Sequence, residues 1–385
     1  MALSDQYVAA TVGLPGPNGD YAALADINPH ELHIYASCWA NKAFRTKIVS
    51  SLWRLTSLHL LGDSELFQQG DICDDIMSTM SHLNLESLEV EGRLANHIWT
   101  TLPWFTKLEH LSLRRNVLES EILFESIRLC TQLTHLGLSG STYRDADLAG
   151  LLPHLTQLTY LDLEGNNKTE KSYLSTLHNL VELRHLNLRW CSLNNDDIQL
   201  LVASLVAPIE NPPNVDGEED DKEVKNLEAI KLNKLTTLQL GQNALDDAAV
   251  TTLIPILAKL PNLTRLDLLG ALIGTHAAIS LSQMLPKMTS LDNLTLGSPD
   301  IEAAENDLLF TTLSKLHIHH LSFKLPDTKL VNHNYKKVAE SLEKLTMLLT
   351  LDLSTSRAGT HPVFWPRLAP SLKKLTHLTH LDLSH

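Results

Sequence analysis

The sequence predicts an α/β solenoid of about twelve repeats, in which parallel strands alternate with helices. Three observations predict it. A phrase of Leu, two variable residues, Leu, one variable residue and Leu returns with its first residue at Leu55, Leu85, Leu108, Leu133, Leu158, Leu183, Leu235, Leu263, Leu291, Leu348 and Leu378. A weaker copy runs Ile318, Leu321, Phe323. The steps between copies run from 23 to 30 residues, apart from one of 52 between Leu183 and Leu235, and a period in this range is the mark of stacked repeats. The intervals between copies read as helices.

Each element is dictated by its residues. The last two Leu of the phrase are two apart, so they share one face of a strand, and the residues between point to the other. One strand cannot bury that row, whereas stacked copies share a continuous core. Each buried Leu then contributes roughly 1.5–3 kcal/mol. The helices open on capping residues followed by helical apolar spacing: from Asp145, from Asp246, and from Thr275. Pro103, Pro153, Pro261 and Pro286 then punctuate the return to the next strand.

The clearest copies are Leu158-Thr-Tyr-Leu161-Asp-Leu163-Glu-Gly-Asn166 and Leu108-Glu-His-Leu111-Ser-Leu113-Arg-Arg-Asn116. This phrase at this period resembles the leucine-rich-repeat family, over residues 52–385. Repeats of this length with helices are similar to the ribonuclease-inhibitor-like subtype. That resemblance implies a horseshoe with a concave parallel sheet and convex helices. It also implies that Asn116, Asn166 and Asn243, three residues past the last Leu, lie inside the turn and bond free backbone groups there. Cys191 takes that place in its repeat, while Asp63, Ser141 and Ala271 imply a looser turn in theirs.

Composition excludes several classes. A net charge of −14 repels phosphate, so nucleic acid is not the expected partner. No apolar run reaches membrane-spanning length, and the N-terminus has no basic region followed by an apolar stretch, so no membrane association is expected. Cys38, Cys73, Cys130 and Cys191 are scattered rather than clustered in caps, which points to a reducing, cytoplasmic compartment. No Gly-rich phosphate loop, nucleophile elbow or paired-Cys zinc pattern is present, so no enzyme activity, cofactor or metal is expected. Cys73-Asp-Asp75 matches the Cys-x-Asp of bacterial leucine-rich-repeat ubiquitin ligases only superficially, because it lies between repeats.

Three segments break the pattern. Residues 1–51 carry no clear phrase, and 28–52 read as helical: either an N-terminal helical cap or, from Ser37-Cys-Trp-Ala-Asn-Lys-Ala-Phe-Arg45, a segment faintly similar to an F-box. Residues 207–226 hold seven acidic and two basic residues among Pro and Gly, an exposed acidic loop that is either inert or an arm for a basic surface. The sequence stops on a strand, Leu378-Thr-His-Leu381-Asp-Leu383, which implies that the chain is truncated there, that a partner covers the end, or that the last strand is frayed.

The variable residues around the last two Leu face outward. His110, His135, Tyr160 and His185 fall at one position of successive repeats, bordered by Arg114, Arg115, Asp162, Glu164, Arg189 and Trp190. Tyr, Trp and Arg are the residue types that dominate interface energies. These ten residues are the candidate partner-binding surface. The His ladder reads as ordinary surface, as an interface with some pH sensitivity, or as a metal site, the last disfavoured because ladder neighbours do not converge tetrahedrally. The expected function is a non-enzymatic scaffold that captures a protein partner, as an inhibitor, regulator or effector acting in the host cytosol. The repeat style and abundant His and Asn are similar to leucine-rich-repeat effectors of intracellular bacteria. The alternative is a substrate-recognition subunit of a ubiquitin-ligase complex.

Overall fold

The fold is an α/β leucine-rich-repeat solenoid. The computed structural model describes residues 9–12, 29–35, 52, 54–61, 83–91, 96–118, 121–167, 170–207, 229–243, 245–297, 303–323, 332–354 and 364–383. They fall into two compact units, residues 1–166 and 167–385.

The sheet of the first unit holds strands β1 (Ala9–Val12), β2 (Glu31–Tyr35), β3 (Ser57–Leu61), β4 (Ser87–Glu91), β5 (His110–Arg114), β6 (His135–Gly137) and β7 (Tyr160–Asp162), adjacent in chain order and parallel. The register aligns the phrase. Leu32, Leu58, Leu88, Leu111, Leu136 and Leu161 form one column, and Ile34, Leu60, Val90 and Leu113 a second. All of them are buried. The second unit repeats this with β8 (His185–Asn187), β9 (Thr237–Gln239), β10 (Arg265–Leu268), β11 (Asn293–Leu296), β12 (His320–Phe323), β13 (Thr350–Asp352) and β14 (His380–Asp382). Its first column runs from Leu186 to Leu381, and Leu381 is exposed.

The helical reading of 28–52 fails where that segment is described. Residues 31–35 form β2, and Pro29-x-x-Leu32-x-Ile34 is a repeat phrase with Pro in place of its first Leu. Pro29 is buried, and Leu32 and Ile34 pair with Leu58 and Leu60. β1 adds a further strand outside the predicted set. The F-box-like residues, Cys73, Asp63 and positions 208–226 of the acidic insertion lie outside the described residues. The insertion's two ends meet, however: Val206–Ala207 pairs antiparallel with Ala229–Ile230.

The connecting helices are α1 (Glu121–Leu129), α2 (Asp145–Leu151), α3 (Asn195–Leu205), α4 (Asp247–Leu257), α5 (Thr275–Met284), α6 (Ala303–Leu313), α7 (Asn332–Leu342) and α8 (Phe364–Leu372). Of the three predicted helix starts, Asp246 caps as expected, accepting the Ala249 N–H at the start of α4, whereas Asp145 and Thr275 are the first residues of α2 and α5, behind Arg144 and Gly274, which make no side-chain cap bond. Asn194 and Asp197 close a capping box on α3. Asp197 also meets the buried Lys171 ammonium at 3.1 Å. Two layers depart from expectation by using 3-10 helices, Asn96–Trp104 and Ser172–Asn179.

The turns after the strands carry the Asn ladder. Asn116 Nδ2 donates to Val90 O and Arg114 O at 3.0 and 2.9 Å, and Asn166 Nδ2 to Leu138 O and Leu163 O at 3.1 and 2.7 Å. Asn243 does more: Nδ2 serves Leu188 O and Leu240 O, while Oδ1 accepts the Cys191 and Leu193 N–H groups. Ser141 bonds both Leu113 O and Asn116 N across layers, whereas the Cys191 thiol reaches Arg189 O in its own. Because Asn243→Ala orphans four buried backbone groups, it is expected to lower stability by on the order of 3 kcal/mol in urea denaturation. The exposed Asn233→Ala should stay within about 0.5 kcal/mol of the parent.

Candidate functional site

The face of the sheet opposite the Leu columns presents the predicted residues in two groups, one in each unit. In the first, His110 and His135 meet edge to face with ring centroids 4.0 Å apart, and His135 stacks on Tyr160 at 5.5 Å. The parallel register, His110 to His135 to Tyr160, puts the rings in line. Arg114 approaches Glu89 at 3.4 Å, and Arg115 pairs with Glu91 at 2.8 Å. Glu164 is half-exposed.

These rings edge a depression of about 210 Å³, lined by Ser87, Leu88, Glu89, His110, Leu111, Ser112, Arg114, His135, Gly137 and Tyr160. Gly137 keeps it open, since a Cβ there would stand 3.1 Å from Ser112 Oγ. That hydroxyl is buried and has no hydrogen-bond partner among the described residues. Charge around the depression is tuned by its neighbours. The ring of His59, bonded to Glu89, holds that carboxyl below the usual carboxylate range despite its partial burial. Burial pushes the Tyr160 phenol up, and the Asp162 and Glu164 carboxylates add to the shift against Arg114, so the hydroxyl stays protonated as a donor.

Asp162 does not join the exposed group. It is only 6% exposed, and Oδ1 accepts the Glu164 N–H at 3.0 Å. Asn187 and Asp267 fold back on the residue two further along in the same way. A short acceptor between the two Leu therefore closes the end of the strand, because it satisfies an N–H that the ladder leaves free.

In the second unit His185 is half-buried. Burial, helped by Arg265 and Arg184, lowers its pKa and favours the neutral ring. Arg189 is drawn inward to Asp267 at 3.2 Å. Trp190, by contrast, is 54% exposed.

Trp190 has a further property that the sequence does not display. Two residues past the last Leu, the chain turns through the left-handed region at Arg115, Gly140, Gly165, Trp190, Gln242 and Gly270, with φ between 54° and 81°. The turn aligns N–H groups with the next layer: Arg115 N to Ser139 O, Gly140 N to Glu164 O, Trp190 N to Gly241 O. Glycine is the economical residue there, and a side chain adds roughly 1–2 kcal/mol of strain. Arg115, Trp190 and Gln242 thus hold large side chains where three other layers use glycine, and backbone strain of this kind collects at functional sites.

The sequence reading also missed Glu31 and His33. They stand on β2 facing His59, and Pro29 hid the phrase that would have placed them.

No protein-family model matches the chain, and no curated protein does. Among solved structures, it is similar to an internalin of Listeria monocytogenes, at 19% identity and a TM-score of 0.45, covering 81% of this chain and 77% of that one. It is also similar to a leucine-rich-repeat protein of Leptospira interrogans, at 17% identity and a TM-score of 0.45, covering 96% and 81%. Among the described residues, no helix is long and apolar enough to cross a membrane.

The strain at Trp190 gives a direct check. Trp190→Gly is expected to be about 1 kcal/mol more stable than Trp190→Ala, since only glycine relieves the left-handed turn. Thermal unfolding of the two variants measures the difference.

Proposed function

We propose that this chain is a non-enzymatic protein-binding scaffold whose outward sheet face captures a protein partner and acts by occluding or recruiting it. The observation that carries this reading is the aligned His110, His135 and Tyr160 rings with Arg114 around the depression that Gly137 keeps open. Rigid aromatic rings lose little entropy when a partner packs on them, and a depression receives one anchoring side chain. The Tyr160 phenol at its edge is held neutral, so an apolar or uncharged side chain can pack against it.

The second group, His185, Arg189 and Trp190, is proposed as an additional contact, with the exposed indole as its anchor. Because Arg189 is committed to Asp267, its contribution is to hold the site rather than to reach a ligand. The acidic insertion is proposed as an arm for a basic surface; its local charge of −5 would speed encounter more than it would deepen affinity.

The test is affinity capture from native lysate read by mass spectrometry, followed by titration of the captured protein. Arg114→Ala/Tyr160→Ala is expected to weaken the captured partner at least 30-fold, the loss typical of truncated anchor residues. Trp190→Ala should weaken it less. The same partner bound at unchanged affinity by the folded double variant would rule this surface out.

A further inference from the structure

On the outward face of β2 and β3, two imidazoles and a carboxylate converge. Glu31 and His33 are two apart on β2 and so share a face, and the register sets His33 beside His59. Glu31 Oε1 lies 2.7 Å from His33 Nε2 and 3.1 Å from His59 Nε2. One donor atom from each of the three residues falls within 4.8 Å of the others. The other nitrogen of His59, Nδ1, sits 2.7 Å from Glu89 Oε2.

We propose that His33 Nε2, His59 Nε2 and the Glu31 carboxylate form a binding site for a borderline divalent cation such as Zn²⁺, with Glu89 as the positioning residue behind His59. The donor set is that of zinc sites with an open position, two His and one Glu. Donors around tetrahedral zinc, at bond lengths near 2.0–2.1 Å, stand about 3.3 Å apart, close to the spacings between Glu31 and the two rings. The arrangement at His59 is the more telling feature. A carboxylate that accepts Nδ1–H fixes the tautomer with its lone pair on Nε2, which here lies 3.2 Å from Ser57 Oγ and would exchange that contact for the ion, and ligating histidines almost always have such a partner.

The site is also shielded, with side-chain exposures of 22% for Glu31, 32% for His33 and 16% for His59. The two rings lie stacked, 4.0 Å apart and 9° from parallel. With His59 held by Glu89, ligation turns the His33 ring out of this stack so that both in-plane lone pairs meet one ion, a rotation about the broad outer torsion of histidine. Three protein donors leave a coordination position for water or for a side chain of a partner. The cation would clamp the layers of β2 and β3 and add a binding contact beside the depression edged by Glu89.

The test uses the full chain, stripped with a chelator, and Zn²⁺ titrated against a chromophoric competitor, with Co²⁺ absorption as a second readout. The chain holds 19 His, so wild type is compared with variants rather than with zero. Wild type is expected to bind one more equivalent than His33→Ala/His59→Ala, and to show tetrahedral Co²⁺ bands that the variant lacks. Glu89→Gln should keep the stoichiometry but weaken that equivalent about 10–100-fold. Far-UV circular dichroism without metal checks each fold, and the single His33→Gln replaces the double variant if that unfolds. Equal stoichiometry and affinity in wild type and the folded His variant would overturn the proposal.

Discussion

No layer of this molecule can bury its own apolar row. A strand of the Leu-x-Leu type gains its burial only when its neighbours stand in register, so the alignment of one column, Leu32 through Leu161, governs the rest of the first unit. A slip by one residue would turn each Leu to solvent. The same register decides what the opposite face presents, because residues that flank aligned leucines must themselves align. The ring series His110, His135, Tyr160 and the juxtaposition of His33 with His59 are both consequences of packing on the other side of the sheet.

Stacking also creates polar demands that the repeat answers in different ways. Where the chain leaves the strand, carbonyl and amide groups are buried without ladder partners, and asparagine serves them from inside the turn. An Asp or Asn between the leucines serves the N–H two residues on. The left-handed residue beyond directs its amide to the next layer. Glycine suits that place, and the layers that use Arg115, Trp190 or Gln242 accept strain to carry a large side chain there. Stability and recognition therefore compete at single positions of an otherwise regular repeat.

The spacing of leucines locates the strands from β3 onward, and Asn116, Asn166 and Asn243 are placed by their distance from the last Leu, so these parts of the fold are legible in the sequence. Three others are not, each for a physical reason. Pro29 replaces the first Leu of a phrase, since a buried apolar ring serves there as well as a branched chain, and without that Leu β2 reads as helix. Asp162 belongs on the outward face by alternation alone, yet its short side chain bends back to its own backbone. The cluster of Glu31, His33 and His59 depends on a cross-strand pairing that cannot be seen until β2 is known to be a strand. Where sequence and structure agree, local pattern and tertiary register impose the same requirement; where they differ, a backbone demand outranks the pattern.

Partner capture on the outward face of the first unit is tested most directly by hydroxyl-radical footprinting of the chain with and without its captured partner, because footprinting reports individual side chains. Oxidation of His110, His135 and Tyr160 is expected to fall in the complex while Ile122 and Leu129, exposed on α1, are unchanged. Protection of Ile122 and Leu129 with undiminished oxidation of the three rings would contradict binding at this face.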